Sequence, residues 1–388
     1  MISVIHHCKI LGSVKCKIFS LPNSTFLFLS SLRAISSNAI NTENSYVVSY
    51  LINNCGLSSK SALSASKCLN FETPDRPDSI IAFLESHGFS NTQITKLIRT
   101  RPSLLLSDPE KTFLPKIRFF HSKGFTNPDI AKILSTCPDI LHSSLQNQII
   151  PAFNAIRNLV PSDEKAILAI KRYPGVLPRY KFYVLPNIKI LQETGLPKSS
   201  IAWLVRYQPS TLITTSEQFA KIVEETKKMG LNPLVLNFVV AIHAIRGFSK
   251  STWEKKIDIY KKWGWSKEES IMAFGKHPWC MMASEKKIMA MMDFYINKMG
   301  QDSSYIAQSP VLLSLSLEKR VMPRCSVLKF LWSKRLIRPA NLLWPLLISE
   351  ERFLCKFVTP YEEEAPHLLK LYQQKSNLPR YEDMEKGD

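Results

Sequence analysis

Apolar positions recur along this chain in short amphipathic runs, and nowhere in the strict alternation that marks a half-buried strand. In the stretch from Thr126 to Leu134, a polar capping residue opens the run and Ile130, Ile133 and Leu134 fall on one helical face. The stretch from Ser90 to Ile98 is built the same way. Each run stops one residue before a proline, as the steric demand of proline on its predecessor requires. A second amphipathic run follows, as in Pro115–Lys123, and ends at a glycine followed by an apolar residue. The pattern predicts helix, proline turn, helix, glycine.

That unit repeats in register. The motif X-Pro-x-[apolar]-[apolar] occurs at Arg101-Pro102, Cys137-Pro138, Tyr173-Pro174, Gln208-Pro209, His277-Pro278 and Ser309-Pro310. The prolines are 36, 36, 35, 69 and 32 residues apart, so the long gap holds two periods with one motif eroded near Ala244–Gly247. A further proline lies about 13 residues downstream at Pro115, Pro151, Pro186 and Pro323, and marks the expected start of the second helix. Gly88, Gly124, Gly195, Gly230, Gly264 and Gly300 hold the stop position, which makes half of the 12 glycines punctuation and not a phosphate loop. One such unit cannot bury its own apolar stripe. The expectation is therefore an all-α solenoid, a superhelix of about seven stacked repeats of ~35 residues.

Charge refines the picture. The 388 residues carry 51 Lys+Arg against 32 Asp+Glu, a net charge of +19. Residues 1–42 hold Lys9, Lys15, Lys17 and Arg33, eight serines and no acid, which are features of an organellar transit peptide. Residues 361–388, with the run Glu362, Glu363 and Glu364, form an acidic tail. The helical-repeat domain is assigned to residues 43–360, where the basic excess is concentrated. A field of that sign attracts polyanions, nucleic acid above all. The eight cysteines contain no C-x-x-C and no zinc-ligand spacing beside histidine, so they read as small side chains of a reducing compartment. No run approaches the ~18 apolar residues of a membrane span.

With the prolines, the downstream Leu/Ile-Pro helix start and the Gly-Phe stop in view, the chain resembles the mitochondrial transcription termination factor (mTERF) family. Cys55-Gly56-Leu57-Ser58 and Leu84-Glu85-Ser86-His87-Gly88-Phe89 resemble its plant organellar branch. The resemblance covers about residues 45–360. It implies repeats of two α-helices and a short 3₁₀ turn wound into a left-handed superhelix, with double-stranded nucleic acid along a basic groove. It further implies a role in organelle transcription and its termination. Some plant members resemble intron-splicing or ribosomal-RNA assembly factors instead. The eroded fifth motif and the Pro310 unit, short by about three residues, depart from the pattern.

Candidate contact residues come from the same register. Arg99, Arg101, Lys171, Arg172, Arg206, Arg246 and Lys276 cluster before the motif prolines, where a repeated position faces one side and could meet successive phosphates. The competing reading is that they complement helix C-termini. Arg179, Lys181, Lys319, Arg320 and Arg324 form a second basic group after the motif, and Tyr173, Tyr180, Tyr207 and Trp279 could stack on bases or serve the core. His87 and His121 occupy matching places before glycines and read as capping or surface residues. The chain lacks the nucleotide-binding, metalloprotease and nucleophile-elbow motifs. The expectation is no enzyme, no cofactor, no metal and no membrane. It is a monomer binding duplex DNA, or structured RNA, with other organellar gene-expression proteins as further partners. The mitochondrion is preferred and the chloroplast is the alternative. A pure protein-binding scaffold is the competing class, separated by its lack of a steep salt dependence.

Overall fold

The computed structural model describes residues 40–338, 343–361, 368–370 and 372. Residues 1–39 of the transit peptide expected over 1–42, and most of the acidic tail, including Glu362, Glu363 and Glu364, lie outside the described residues. Among the described residues there are helices and turns and no strand. The fold is the expected all-α helical-repeat class. Two compact bodies are present, the first within residues 34–251 and the second beginning at Thr252. No helix among the described residues is long and apolar enough to cross a membrane.

Within each unit the local chemistry sets the boundaries. Capping boxes open the first helix at Ser90 with Gln93, Thr126 with Asp129, and Ser266 with Glu269. The helix ends at the residue before the motif proline, which the proline ring forces out of helical conformation. Cys137, for example, sits at φ −133°, ψ 77° and Tyr173 at φ −143°, ψ 84°. The proline then opens a single short turn of helix. It is 3₁₀ over Pro102–Leu106, Pro209–Leu212 and Pro310–Ser314, and α over Asp139–His142, Val176–Arg179 and Trp279–Met282. The motif prolines thus stand between the two long helices of their units, as expected. In the eroded fifth unit the short turn is missing altogether. Leu236–Gly247 is followed by extended Phe248 and then by Lys250–Lys261.

The second helix does not start at its proline as the sequence pattern suggests. It starts about six residues earlier. Ser144 caps Asn147, and the first turn is a wide π turn, Leu145–Ile149, before the α-helix Ile150–Leu159. The amides of Ile149 and Ile150 reach back five residues to the Ser144 and Leu145 carbonyls. Pro151 has no N–H for an α-ladder bond and its ring crowds the carbonyl four residues before it. The wide turn absorbs both problems. Tyr180–Val184 before Pro186 and Leu317–Val321 before Pro323 repeat the device.

The glycine stop is a left-handed cap. At Gly124, φ is +89°, its amide donates to the His121 carbonyl, and the next amide, Phe125, reaches the Phe120 carbonyl at 3.1 Å. The same closure occurs 35 residues after Gly300 at Arg335, with φ +60° on a side-chain-bearing residue. The Leu336 amide there donates to the Leu331 carbonyl. A turn over Leu343–Leu347, with Ser349 capping Glu350–Phe357, adds a unit beyond the Pro310 motif.

Successive units are joined by apolar packing and by a recurring polar contact. Leu141, Leu177, Phe120 and Phe153 are all buried. From mid-helix, Asn187 donates to the Leu212 and Thr214 carbonyls, Lys256 to the Ala283 carbonyl, and Arg324 to the Pro345 and Ile348 carbonyls. Thr214, Ala283 and Ile348 each immediately precede the capping residue of the following helix. One position in three different units therefore satisfies the same carbonyl of the next proline turn.

Candidate nucleic-acid interface

The basic residues before and after the motif prolines do come together between units of the first body, where they interlock. Arg101 Nη2 lies 2.6 Å from Asp139 Oδ1 of the next unit, and Arg179 of the unit beyond lies 3.1 Å from Asp139 Oδ2. Arg172 donates to the Arg206 and Tyr207 carbonyls at 3.2 Å, capping the end of the helix Lys198–Tyr207 in the next unit. Its guanidinium lies 5.4 Å from the Tyr207 ring and that of Arg206 lies 4.6 Å from the same ring. Lys171 pairs with Asp129 at 2.5 Å. Burial alone would raise the Asp129 carboxyl, but hydrogen bonds from Lys171 and Thr126 hold it below the usual carboxylate range.

These contacts combine both sequence readings. Helix C-termini and carboxylates of neighbouring units do receive several of the cations, yet the side chains stay open to solvent. Arg101 keeps 47% of its side-chain surface and Arg179 37%. Arg99, Lys181 and Arg172 are exposed and Arg206 is half-buried. Neither Arg99 nor Lys181 has an ion pair among the described residues, and Lys181 lies 6.0 Å from the ring of Phe182. The result is a set of six cations, Arg99, Arg101, Arg172, Arg179, Lys181 and Arg206, on and beside the Pro102, Pro174 and Pro209 turns, with the Pro138 turn between the first two supplying Asp139. His142 lies next to Arg101. Its imidazole is pushed below its ordinary value, first by burial and then by Arg101 and Lys116, with Asp139 opposing.

Three expected contact residues are corrected by their surroundings. Arg324 is 1% exposed, with its guanidinium on the Pro345, Leu346 and Ile348 carbonyls and over the Phe353 ring, where no external phosphate can reach it. Arg320 donates to the Leu346, Leu347 and Ile348 carbonyls, and burial followed by repulsion from Arg324 pushes it down to about 10. Arg246 donates to the Ile213 carbonyl at 2.8 Å and its Nε is buried. These arginines hold adjacent turns together. In the second body, Lys276 reaches the Gln308 side chain and carbonyl, and Lys319 is exposed.

The aromatic expectations divide. Tyr207 is the ring between two guanidiniums, while Tyr180 is half-buried with its phenol pushed up by burial. His87 bonds the Phe83 carbonyl through Nδ1 and stacks on the Phe83 ring at 4.1 Å, as a helix-end residue does. Three residues escaped the sequence reading: Asp139, Asn187 and Phe182. Phe182 is 65% exposed within a π turn. The repeat register could have flagged it, because the matching places in neighbouring π turns hold the polar residues Asn147 and Lys319.

Comparison with known proteins fits this architecture. A family model described as mTERF matches residues 81–232 and 181–354. The chain is 22% identical over 252 residues to the mitochondrial transcription termination factor MTERF15 of Arabidopsis thaliana, covering 54% of this chain and 55% of that protein. It is 21% identical over 263 residues to the chloroplastic transcription termination factor MTERF8 of the same plant, covering 67% of this chain and 51% of that one. The chain spans about half the length of these curated relatives.

Proposed function

The chain belongs to the mTERF family, and from that premise we propose that it is a non-catalytic, monomeric binder of double-stranded nucleic acid that regulates transcription, including its termination, in an organelle. The observation that supports this reading best is the set of six solvent-accessible cations on and beside the Pro102, Pro174 and Pro209 turns of the first body. Each turn is held in place by bonds to its neighbours, so the charges keep a fixed spacing. A regular polyanion can meet such an array at several points at once, mainly through phosphates. The units carry no recurrent pair of base-reading side chains of the kind a one-base-per-repeat reader of single strands needs. Duplex DNA is the proposed partner.

Titration of the protein on duplex DNA, duplex RNA and single strands at several salt concentrations tests the proposal. With six phosphates neutralised, log K against log salt falls with a slope of about −5 for duplex DNA. A flat slope would favour a protein-binding scaffold, and a preference for duplex RNA would move the role to splicing or ribosomal-RNA maturation. The relatives are named for different organelles, mitochondrial in one case and chloroplastic in the other. We place this chain in the mitochondrion. A fluorescent fusion of residues 1–60 should enter mitochondria, and entry into chloroplasts would reassign it.

A further inference from the structure

We propose that Asp139 is an internal competitor for the phosphates of the bound nucleic acid, engaging Arg101 and Arg179 in the free protein and lowering affinity below what the cations alone would give. This rests on the nucleic-acid reading above and concerns how that surface is tuned. Asp139 opens the short turn of the middle unit, and each of its carboxylate oxygens receives one guanidinium, Arg101 from the unit before and Arg179 from the unit after.

The geometry of Arg179 is specific. Its Nη1 would lie 2.7 Å from a Cβ placed on Gly175, and the Tyr173 ring would lie 2.8 Å from the same atom. Residue 175 has φ −60°, which any residue adopts, so the glycine is needed for space and not for backbone conformation. The arginine crosses the turn through that gap to reach Asp139 and the Cys137 sulfur.

A purely structural staple is a poor account of this triad. All three side chains are partly open to water, at 47%, 37% and 32% of their surface. Ion pairs at such exposure contribute little to stability. The buried Asn187 and Arg324 contacts join units far more effectively. What the carboxylate does strongly is electrostatic. It cancels part of the charge of two of the six cations and opposes any phosphate that approaches either one. A phosphate oxygen can accept from either guanidinium and take the carboxylate's place.

The test is a binding cycle on duplex DNA at about 0.1 M salt, with the full chain as wild type, Asp139→Asn, Arg101→Gln/Arg179→Gln, and all three changes together. Asp139→Asn should tighten binding about five- to tenfold, the size of one added phosphate contact. The same change should alter affinity less than about twofold when both arginines are absent. Thermal unfolding followed by circular dichroism checks that each variant folds. Gly175→Ala, which displaces Arg179 from Asp139 without removing charge, should also tighten binding. Equal or weaker binding by Asp139→Asn, or an equal gain in both backgrounds, overturns the competitor role while the wild-type salt slope still supports the nucleic-acid reading. A wild type without a steep salt slope overturns both.

Discussion

His243 sits partly buried, with Nδ1 2.7 Å from the Thr211 hydroxyl, and burial followed by the nearby Arg246 pushes its imidazole down to about 4 from 6.5. The unfolded chain therefore takes up the proton first as pH falls. Its contribution is complete above about pH 6.5 and is lost progressively between 6.5 and 4, up to about 3 kcal/mol in all. Denaturant unfolding at pH 7, 5.5 and 4.5 should show this decline, and His243→Gln should flatten it. Arg335 is a second residue-scale case. It holds the left-handed conformation that glycine holds in other units, at a cost of about 1–2 kcal/mol for a side-chain-bearing residue. Arg335→Gly should raise stability by about 1 kcal/mol in the same assay. A loss would show that the Arg335 side chain makes compensating contacts.

At the scale of elements, each unit depends on its proline turn being seated against its neighbours. Leu141 and Leu177 anchor two such turns, at 3% and 1% exposure, and either change to Ala should cost about 2–5 kcal/mol through the cavity left behind. Asn187→Ala should cost about 1–3 kcal/mol for a different reason. It leaves the Leu212 and Thr214 carbonyls without their donor. Equilibrium unfolding distinguishes the two, because Asn187→Asp, which keeps the volume but not the donors, should be as harmful as the Ala change. The helices, the proline stops and the glycine caps were legible from sequence because each is a local steric rule. The π turns were not, because hydrophobic periodicity does not register one extra residue in a turn. The Asn187 and Arg324 contacts span more than 20 residues, so no window of sequence contains both partners.

For the molecule as a whole, the salt dependence should reside in cations open to solvent, and guanidiniums enclosed among backbone carbonyls should serve stability instead. Arg172 serves the end of the next unit's helix, so its loss would confuse binding with folding. Reversing Lys181 and Arg206 together is the cleaner experiment. Binding to all duplex sequences should weaken alike, and the log–log salt slope should flatten by about 2. An unchanged slope, with the fold verified by circular dichroism, would remove these two cations from the interface. Reversing Arg320 and Arg324 should instead destabilise the second body, because both guanidiniums satisfy carbonyls of the segment from Pro345 to Ile348.

The sequence by itself determined the helical class, the unit length, the places of the proline turns and most of the left-handed caps. These follow from sterics acting between near neighbours, and a proline or glycine imposes them wherever it stands. It also determined that the chain is strongly basic, because charge is a property of composition. Which cations remain available was decided only by the tertiary structure. Arg99 and Arg324 are both arginines in a repeat, but one faces water and the other lies among backbone carbonyls. That difference depends on what the next unit places opposite each side chain. Asp139 acquires its importance in the same way, because only stacking brings one carboxylate between arginines 38 residues before it and 40 residues after it.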